Sequence, residues 1–189
     1  MLESFILENE NVRLSPLTLD NFHQLFPIAS QEKLIQYSPS DIATPETLRN
    51  YVRIALDQQR SKISIPFIIY EKKTERYAGC TRYMNIDWKN KVLHIGATWI
   101  GREFQGSGLN DQMKLLMLDH AFYKMGFEKV EFRVDERNVR SRKAVEKLGC
   151  VLEGILRRNV YMLDGFKRNT CCYGILKEEW EAVNVPSIE

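Results

Sequence analysis

The sequence predicts a single α/β (α+β) domain, in which a mixed central sheet carries packed helices. Two observations predict this class. β-rich runs separated by turn signals fill residues 67–99, and helical and strand-like segments alternate after Gly106. A chain of 189 residues, 44% hydrophobic and 28% charged, is long enough to bury one core. We therefore expect one domain across residues 1–189.

The first part of the chain predicts one strand and two helices. Residues 12–17 alternate apolar and polar side chains, which favours a strand. A short helix should begin after Thr18 or Asp20 and stop at Pro27. Thr44-Pro45 supplies an N-cap and a first-turn proline for a helix through about residue 59.

The middle of the chain predicts an antiparallel meander and then a buried helix. The strand-like runs are residues 67–70, 77–84 and 92–99, with a turn at 72–76. The apolar residues of the segment that follows Gly108 recur at helical spacing over most of its circumference, and Gly126 ends it. Such a helix should lie buried against the sheet.

The last part predicts strand, helix and hairpin. Residues 129–134 form a strand-like run, and residues 138–148 a helix that ends at Gly149. Residues 150–152, 161–163 and 170–176 are strand-like, with a hairpin turn at Asp164-Gly165.

Composition excludes several classes of protein. The net charge is +2, without blocks of like charge, which argues against a nucleic-acid or membrane-binding arm. Apolar runs are short, and residues 1–5 lack the features of a signal peptide. The cysteines lack metal-ligand spacing, so we expect small buried thiols in a reducing compartment, the cytoplasm, and no metal site: Cys80, Cys150, Cys171 and Cys172.

The turn between the third meander strand and the long helix could hold a diphosphate. Gly106 and Gly108 permit close backbone approach, and amides at a helix N-terminus attract phosphate. The spacing matches neither a P-loop nor a dinucleotide fingerprint. A tight turn without a ligand also explains the two glycines.

The helix at residues 138–148 carries a hydroxyl on its inward face. Helical spacing places Ser141 with Ala144, Val145 and Leu148, while its charged residues face solvent. Asn138 also suits a purely structural N-cap, with Ser141 bonded to nearby backbone.

Together these segments resemble the GNAT (GCN5-related) N-acetyltransferases. Gln105-Gly106-Ser107-Gly108 is followed, some 30 residues later, by Asn138-x-x-Ser141 and Lys147-Leu148-Gly149. The tail, which runs from Glu153-Gly154 to Glu179-Trp180, is similar to the ribosomal-protein N-terminal acetyltransferases of the RimJ/RimL type. The resemblance covers a core of about residues 10–183. It implies a mostly antiparallel sheet, splayed at the cofactor site, with helices on both faces.

The resemblance also implies acetyl-CoA as cosubstrate and a set of site residues. Ser141 would lie beside the sulfur and protonate the departing thiolate, and Asn138 would contact the cofactor arm. Backbone of Trp99 or Ile100 would bind the pantetheine amides in the slot opened by the splay and help to polarise the acetyl carbonyl. The diphosphate would be held by the amides of Gln105, Gly106, Ser107, Gly108, Leu109 and Asn110.

Three positions depart from the family pattern. Glu103 stands where Gln or Arg is frequent, and Gln105 where Arg is frequent, so diphosphate binding should depend more on amides. Asn169 stands where the family usually has an acid.

The sequence leaves the general base and the acceptor amine open. The four candidate bases also suit surface or structural roles: His94, Glu103, Glu131 and Asp135. The acceptor is a protein N-terminal α-amine or a small-molecule amine, and the protein a monomer or homodimer. A non-catalytic acyl-CoA sensor is one alternative. A nucleic-acid module, built on the basic residues at 140–143 and 157–158, is disfavoured by the low net charge.

Overall fold

The computed structural model describes residues 5–184 as an eight-stranded sheet flanked by helices. The strands are β1 Leu7–Glu8, β2 Val12–Pro16, β3 Ser64–Glu71, β4 Arg76–Asp87, β5 Val92–Ile100, β6 Lys129–Asp135, β7 Val151–Tyr161 and β8 Lys167–Leu176. The helices are α1 Phe26–Ala29, α2 Pro45–Arg60, α3 Leu109–Asp119, α4 Val139–Lys147 and α5 Lys177–Asn184. A turn of π-helix, His120–Lys124, extends α3.

The strand order is β1-β2-β3-β4-β5-β6-β8-β7. Every neighbouring pair is antiparallel except β5 and β6, which are parallel. The meander over β3, β4 and β5 and the hairpin of β7 and β8 are as predicted. α3 makes the crossover that a parallel pair requires.

Helices pack on both faces of the sheet, as expected. Successive residues of a strand point to opposite faces, and Ile68 and Ile69 of β3 belong to two different buried clusters. The cluster of Ile69 includes Met113 of α3 and Val145 of α4. The cluster of Ile68 includes Val52 of α2. We call these the α3/α4 face and the α2 face.

Local sequence explains where α2 begins. The Thr44 hydroxyl accepts a hydrogen bond from the Thr47 amide at 3.1 Å, and the Thr47 hydroxyl accepts one from the Thr44 amide at 3.0 Å. Pro45 takes the first helical position, where its missing N–H costs nothing. The predicted cap and start of this helix are confirmed.

Some element predictions were wrong or incomplete. Pro27 does not stop a helix but lies in the first turn of α1. β7 is one strand of 11 residues rather than two short pieces, since its side chains are almost all exposed and show no alternation. β1 and α5 were not predicted.

All four cysteines are buried, and none of them is in a disulfide bond in the described part of the chain. Between residues 5 and 184, no helix has the length and apolarity to cross a membrane. The prediction of no signal peptide concerns residues 1–5, of which 1–4 lie outside the described residues.

Candidate active site

β5 and β6 separate toward their carboxyl ends. They pair at three positions, Val92–His94 against Lys129–Glu131. Beyond these, β5 pairs with β4 as far as Ile100, and β6 pairs with β8 as far as Asp135. The parallel ladder therefore ends after three pairs, as the splay implied by the family resemblance requires, and we call the region between the unpaired ends of the two strands the slot.

A β-bulge lies on the β5 wall of this slot. Arg82 of β4 pairs with Gly96, but Cys80 pairs with Trp99, so Ala97 and Thr98 together face a single β4 residue. Ala97 has φ of 48°, a left-handed conformation that costs energy in a residue with a side chain. Bulges re-aim the backbone and are frequent beside active sites.

The turn after β5 presents backbone amides at the mouth of the slot. Gly106 and Gly108 have φ of 79° and 86°, and a Cβ built on either meets no atom within 4 Å. The amides of Gly106, Ser107 and Gly108 have no hydrogen-bond acceptor among residues 5–184. The Leu109 amide donates to the Ser107 hydroxyl at 3.3 Å. Open space, free amides and the positive end of α3 together suit a diphosphate.

The Gln105 side chain connects this turn to β5 and α4. Its Nε2 donates to the Ile100 carbonyl at 2.9 Å, and its Oε1 accepts a hydrogen bond from Arg140. Arg140, on the face of α4 that the sequence assigned to solvent, therefore lies against the turn. Arg140 thus places a guanidinium beside Gln105, and Gln105 stands where the family often has an arginine.

The first turn of α4 brings Asn138 and Ser141 together. Asn138 is the N-cap, and its Oδ1 accepts from the Ser141 amide at 3.1 Å. Ser141 is half-buried, on the same helical face as the buried Val145 and Leu148. Its hydroxyl has no hydrogen-bond partner within the described range. The structural role of Asn138 is confirmed, and the Ser141 hydroxyl stays available to a ligand.

Two of the candidate bases, His94 and Glu131, contact each other at the foot of the slot. His94 Nε2 lies 3.1 Å from Glu131 Oε2, and Asn85 Nδ2 lies 3.1 Å from His94 Nδ1. Because the Asn85 amide donates to Nδ1, the ring proton is on Nε2 and is given to Glu131. Burial lowers the pKa of His94. The neutral ring thus has both nitrogens engaged.

The Glu131 carboxylate is held in its charged form. Burial alone would raise its pKa, but the hydrogen bond from Lys129 and the charge of Arg133 hold the pKa below its usual range. Their nitrogens lie 3.1 Å and 2.7 Å from the carboxylate. A carboxylate with so many donors is a weak proton acceptor.

The other two candidate bases are also engaged. Asp135 accepts hydrogen bonds from the Arg137 amide at 2.9 Å and from its guanidinium at 2.7 and 3.0 Å. Burial raises the pKa of Asp135, yet these contacts bring it below its usual value. Glu103 contacts Arg76 at 3.0 Å and Gln31 at 3.0 Å.

Asn169 links two segments at the edge of the slot. Its Oδ1 accepts from the Arg158 amide at 2.8 Å, and its Nδ2 donates to Glu136 Oε2 at 2.8 Å. The Asn169 side-chain amide supplies both the acceptor and the donor that these two contacts need. An acid at this position would have no N–H to donate and would place a second negative charge against Glu136.

The predicted site residues therefore converge on one slot. Trp99 and Ile100 end its β5 wall, residues 105–110 form its mouth, and Asn138 and Ser141 lie on the helix that follows β6. Sequence reasoning missed Arg140, because nothing in the helical period of α4 distinguishes an arginine in solvent from one that reaches across to another loop.

Comparisons with known proteins agree with this architecture. The family model described as Acetyltransferase (GNAT) domain matches residues 11–151. The probable N-acetyltransferase YjcK of Bacillus subtilis is 32% identical over 160 residues, 82% of this chain and 88% of that protein. The putative ribosomal N-acetyltransferase YdaF of the same organism is 31% identical over 97 residues, which is 51% of this chain and only 52% of YdaF.

A solved structure has the same fold. The crystal structure of a putative acetyltransferase from T. thermophilus matches with a TM-score of 0.84 at 31% identity, over 97% of this chain and 95% of that one. The chain belongs to the GNAT acetyltransferases. It is an N-acetyltransferase, an enzyme that transfers an acetyl group to an amine.

Proposed function

We propose that this enzyme acetylates the α-amine of a protein N-terminus, with acetyl-CoA bound in the slot between β5 and β6. The free amides of Gly106, Ser107 and Gly108 hold the diphosphate, and Arg140 adds positive charge. The Asn138 side chain and the β5 backbone at Trp99 and Ile100 contact the pantetheine arm.

One observation carries the choice of an α-amine. Each of the four candidate bases is engaged by cationic or hydrogen-bonding partners, so none of these four is a strong proton acceptor. An amine attacks only when neutral, and an α-amine with a pKa of about 7.7–8.0 is partly neutral near pH 7.5 without help. A lysine or polyamine nitrogen, at about 10.4, needs a base. The likeness to YdaF supports the same choice.

The reaction needs no protein nucleophile. The amine nitrogen forms a bond to the acetyl carbonyl carbon, the carbon–sulfur bond breaks, and the amine releases one proton to solvent. The oxygen that gains charge needs a backbone N–H donor, and we assign this role to the bulge at Ala97 and Thr98, where the pairing with β4 is interrupted. The Ser141 hydroxyl gives a proton to the departing thiolate and takes one back from solvent, which has received the proton of the amine.

A thiol-release assay with acetyl-CoA tests this function. The acceptors are peptides with free N-termini, the same peptides with blocked N-termini but a free lysine, and spermidine. We expect release with the free N-termini at least tenfold faster than with the other two. Faster turnover of spermidine or of the blocked peptides would contradict the proposed acceptor. No turnover with any amine, despite acetyl-CoA binding, would indicate the non-catalytic sensor.

The four buried thiols support a reducing compartment, and we infer that the enzyme works in the cytoplasm.

A further inference from the structure

Lys114 is a buried lysine inside the α3/α4 face, and no step proposed above uses it. It lies in the second turn of α3 and is 5% exposed. Its Nζ donates a hydrogen bond to the Thr98 hydroxyl at 2.9 Å, and that hydroxyl contacts the Thr81 hydroxyl at 2.7 Å. Lysines are almost never so buried unless they are paired.

The surroundings do not balance its charge. Among residues 5–184 no carboxylate lies within ion-pair distance of Lys114 Nζ, and Thr98 Oγ1 is its single hydrogen-bond acceptor. An ammonium has three N–H donors. Burial accordingly lowers the pKa of Lys114 to about 7. A methionine would fill a similar volume without the free-energy cost of burying an amine, which indicates that the amine has a function.

The position of the amine indicates what it contacts. Thr98 belongs to the bulge of β5, and Nζ also lies 5.5 Å from the centre of the Phe132 ring on β6. Both residues follow the last paired positions, His94 and Glu131. The amine therefore lies where the two strands have separated, between the turn that presents free amides and the buried end of the slot.

We propose that Lys114 donates a hydrogen bond to a carbonyl oxygen of the acyl-pantetheine arm in the slot. This inference rests on the proposed binding of acetyl-CoA there. Thr98 holds the amine in place through one N–H, and a second N–H is directed to the ligand. The carbonyl belongs either to a pantetheine amide, which CoA and acetyl-CoA share, or to the acetyl thioester, which only acetyl-CoA has.

Calorimetric titration of Lys114→Met with CoA and with acetyl-CoA tests the proposal. Lys124→Met, which removes an exposed lysine beyond the same helix, is the matched control. We expect Lys114→Met to weaken acetyl-CoA binding about tenfold or more, the worth of a hydrogen bond from a charged group, and Lys124→Met to leave it unchanged. Equal weakening of CoA assigns the bond to a pantetheine amide, and loss with acetyl-CoA alone assigns it to the thioester.

Unchanged affinity of Lys114→Met for both ligands would overturn the inference. Wild-type protein that binds neither ligand would instead refute the proposed function, so the two failures are distinct.

A second measurement uses wild-type protein only, so it does not depend on the folding of a variant. Carbon-13 NMR of the Lys114 side chain in wild-type protein gives its pKa with and without saturating CoA or acetyl-CoA. A carbonyl acceptor stabilises the charged amine, so the pKa should rise when at least one ligand binds. If neither ligand raises the pKa, the hydrogen bond to the ligand is contradicted. That result is the one expected of a lysine with a purely structural role.

Discussion

At the scale of single residues, Ser141 is the side chain to which the proposed mechanism gives the most direct chemical role. Its amide is bonded to the Asn138 cap, while its hydroxyl is free of protein partners in the described chain. Substitution by alanine thus removes the hydroxyl without removing the cap. We expect Ser141→Ala to lower kcat at least tenfold and to leave the Kd for acetyl-CoA nearly unchanged, as measured by steady-state kinetics and calorimetry. Normal turnover would remove Ser141 from the mechanism.

Arg140 should contribute to cofactor affinity although the helical pattern gave no sign of it. Arg140→Met removes a guanidinium that Gln105 holds against the turn proposed to bind the diphosphate. We expect CoA affinity to fall about fivefold to tenfold at low salt, and less at high salt, because the interaction is electrostatic. Lys143→Met, on the same helix and exposed, is the control. Equal losses in the two variants would mean that only the general charge of α4 matters.

The burial of Lys114 also predicts how the stability of the protein depends on pH. Folding lowers its pKa from 10.5 to about 7, so the unfolded chain binds this proton more tightly. The lysine therefore costs stability in full below pH 7, and the cost shrinks as the pH rises from 7 toward 10.5. Lys114→Met should raise the free energy of unfolding by about 2.5–3 kcal/mol more at pH 6 than at pH 9. Denaturant titrations at both pH values check this, and a gain independent of pH would contradict it.

At the scale of elements, a comparison of two glycines, one in the turn before α3 and one elsewhere, can distinguish backbone strain from ligand binding. Gly108 and Gly126 both have positive φ, 86° and 74°, and at both positions an added Cβ would meet open space. Alanine at either position should lower the free energy of unfolding by about 1–2 kcal/mol. Only Gly108→Ala should also weaken CoA binding, because only Gly108 belongs to the turn at the slot. Calorimetry and chemical denaturation of both variants test this, and loss of CoA affinity in Gly126→Ala would contradict it.

The elements differ in how far the sequence predicts them. α2 was predictable because Thr44 and Pro45 signal its start locally. β7 was not recognised as one strand, since residues exposed on both faces have no period of two. The order of residues 105–110, 138 and 141 along the chain was enough to predict them as site residues, and their roles in binding and catalysis stay predictions. Lys114 and Arg140 were missed because their partners, Thr98 and Gln105, are distant contacts that helical spacing does not encode.

At the scale of the whole molecule, the pH dependence of turnover should follow the ionisation of the acceptor amine. With the candidate bases engaged, kcat/KM for a peptide α-amine should rise through pH 7.7–8.0, about the pKa of that amine, and then level off. For a lysine side chain it should keep rising toward about pH 10. Steady-state kinetics across this range checks both profiles. A plateau reached well below the pKa of the α-amine would reveal a protein base.

The oligomeric state, monomer or homodimer, stays a prediction, as does the extent of the domain across residues 1–189. β7 is the edge of the sheet on the side opposite β1, and it exposes apolar side chains such as Ile155 and Leu156. A long exposed edge of this kind is where a second chain can add strands.

The three paired positions between β5 and β6 have a mechanical consequence. Within the described residues these three pairs join a half-sheet of five strands to a half-sheet of three. Few backbone contacts therefore connect the two halves of the sheet. A molecule wedged into the opening touches both halves at once. We therefore expect a ligand in the cleft to affect the angle at which the two halves meet.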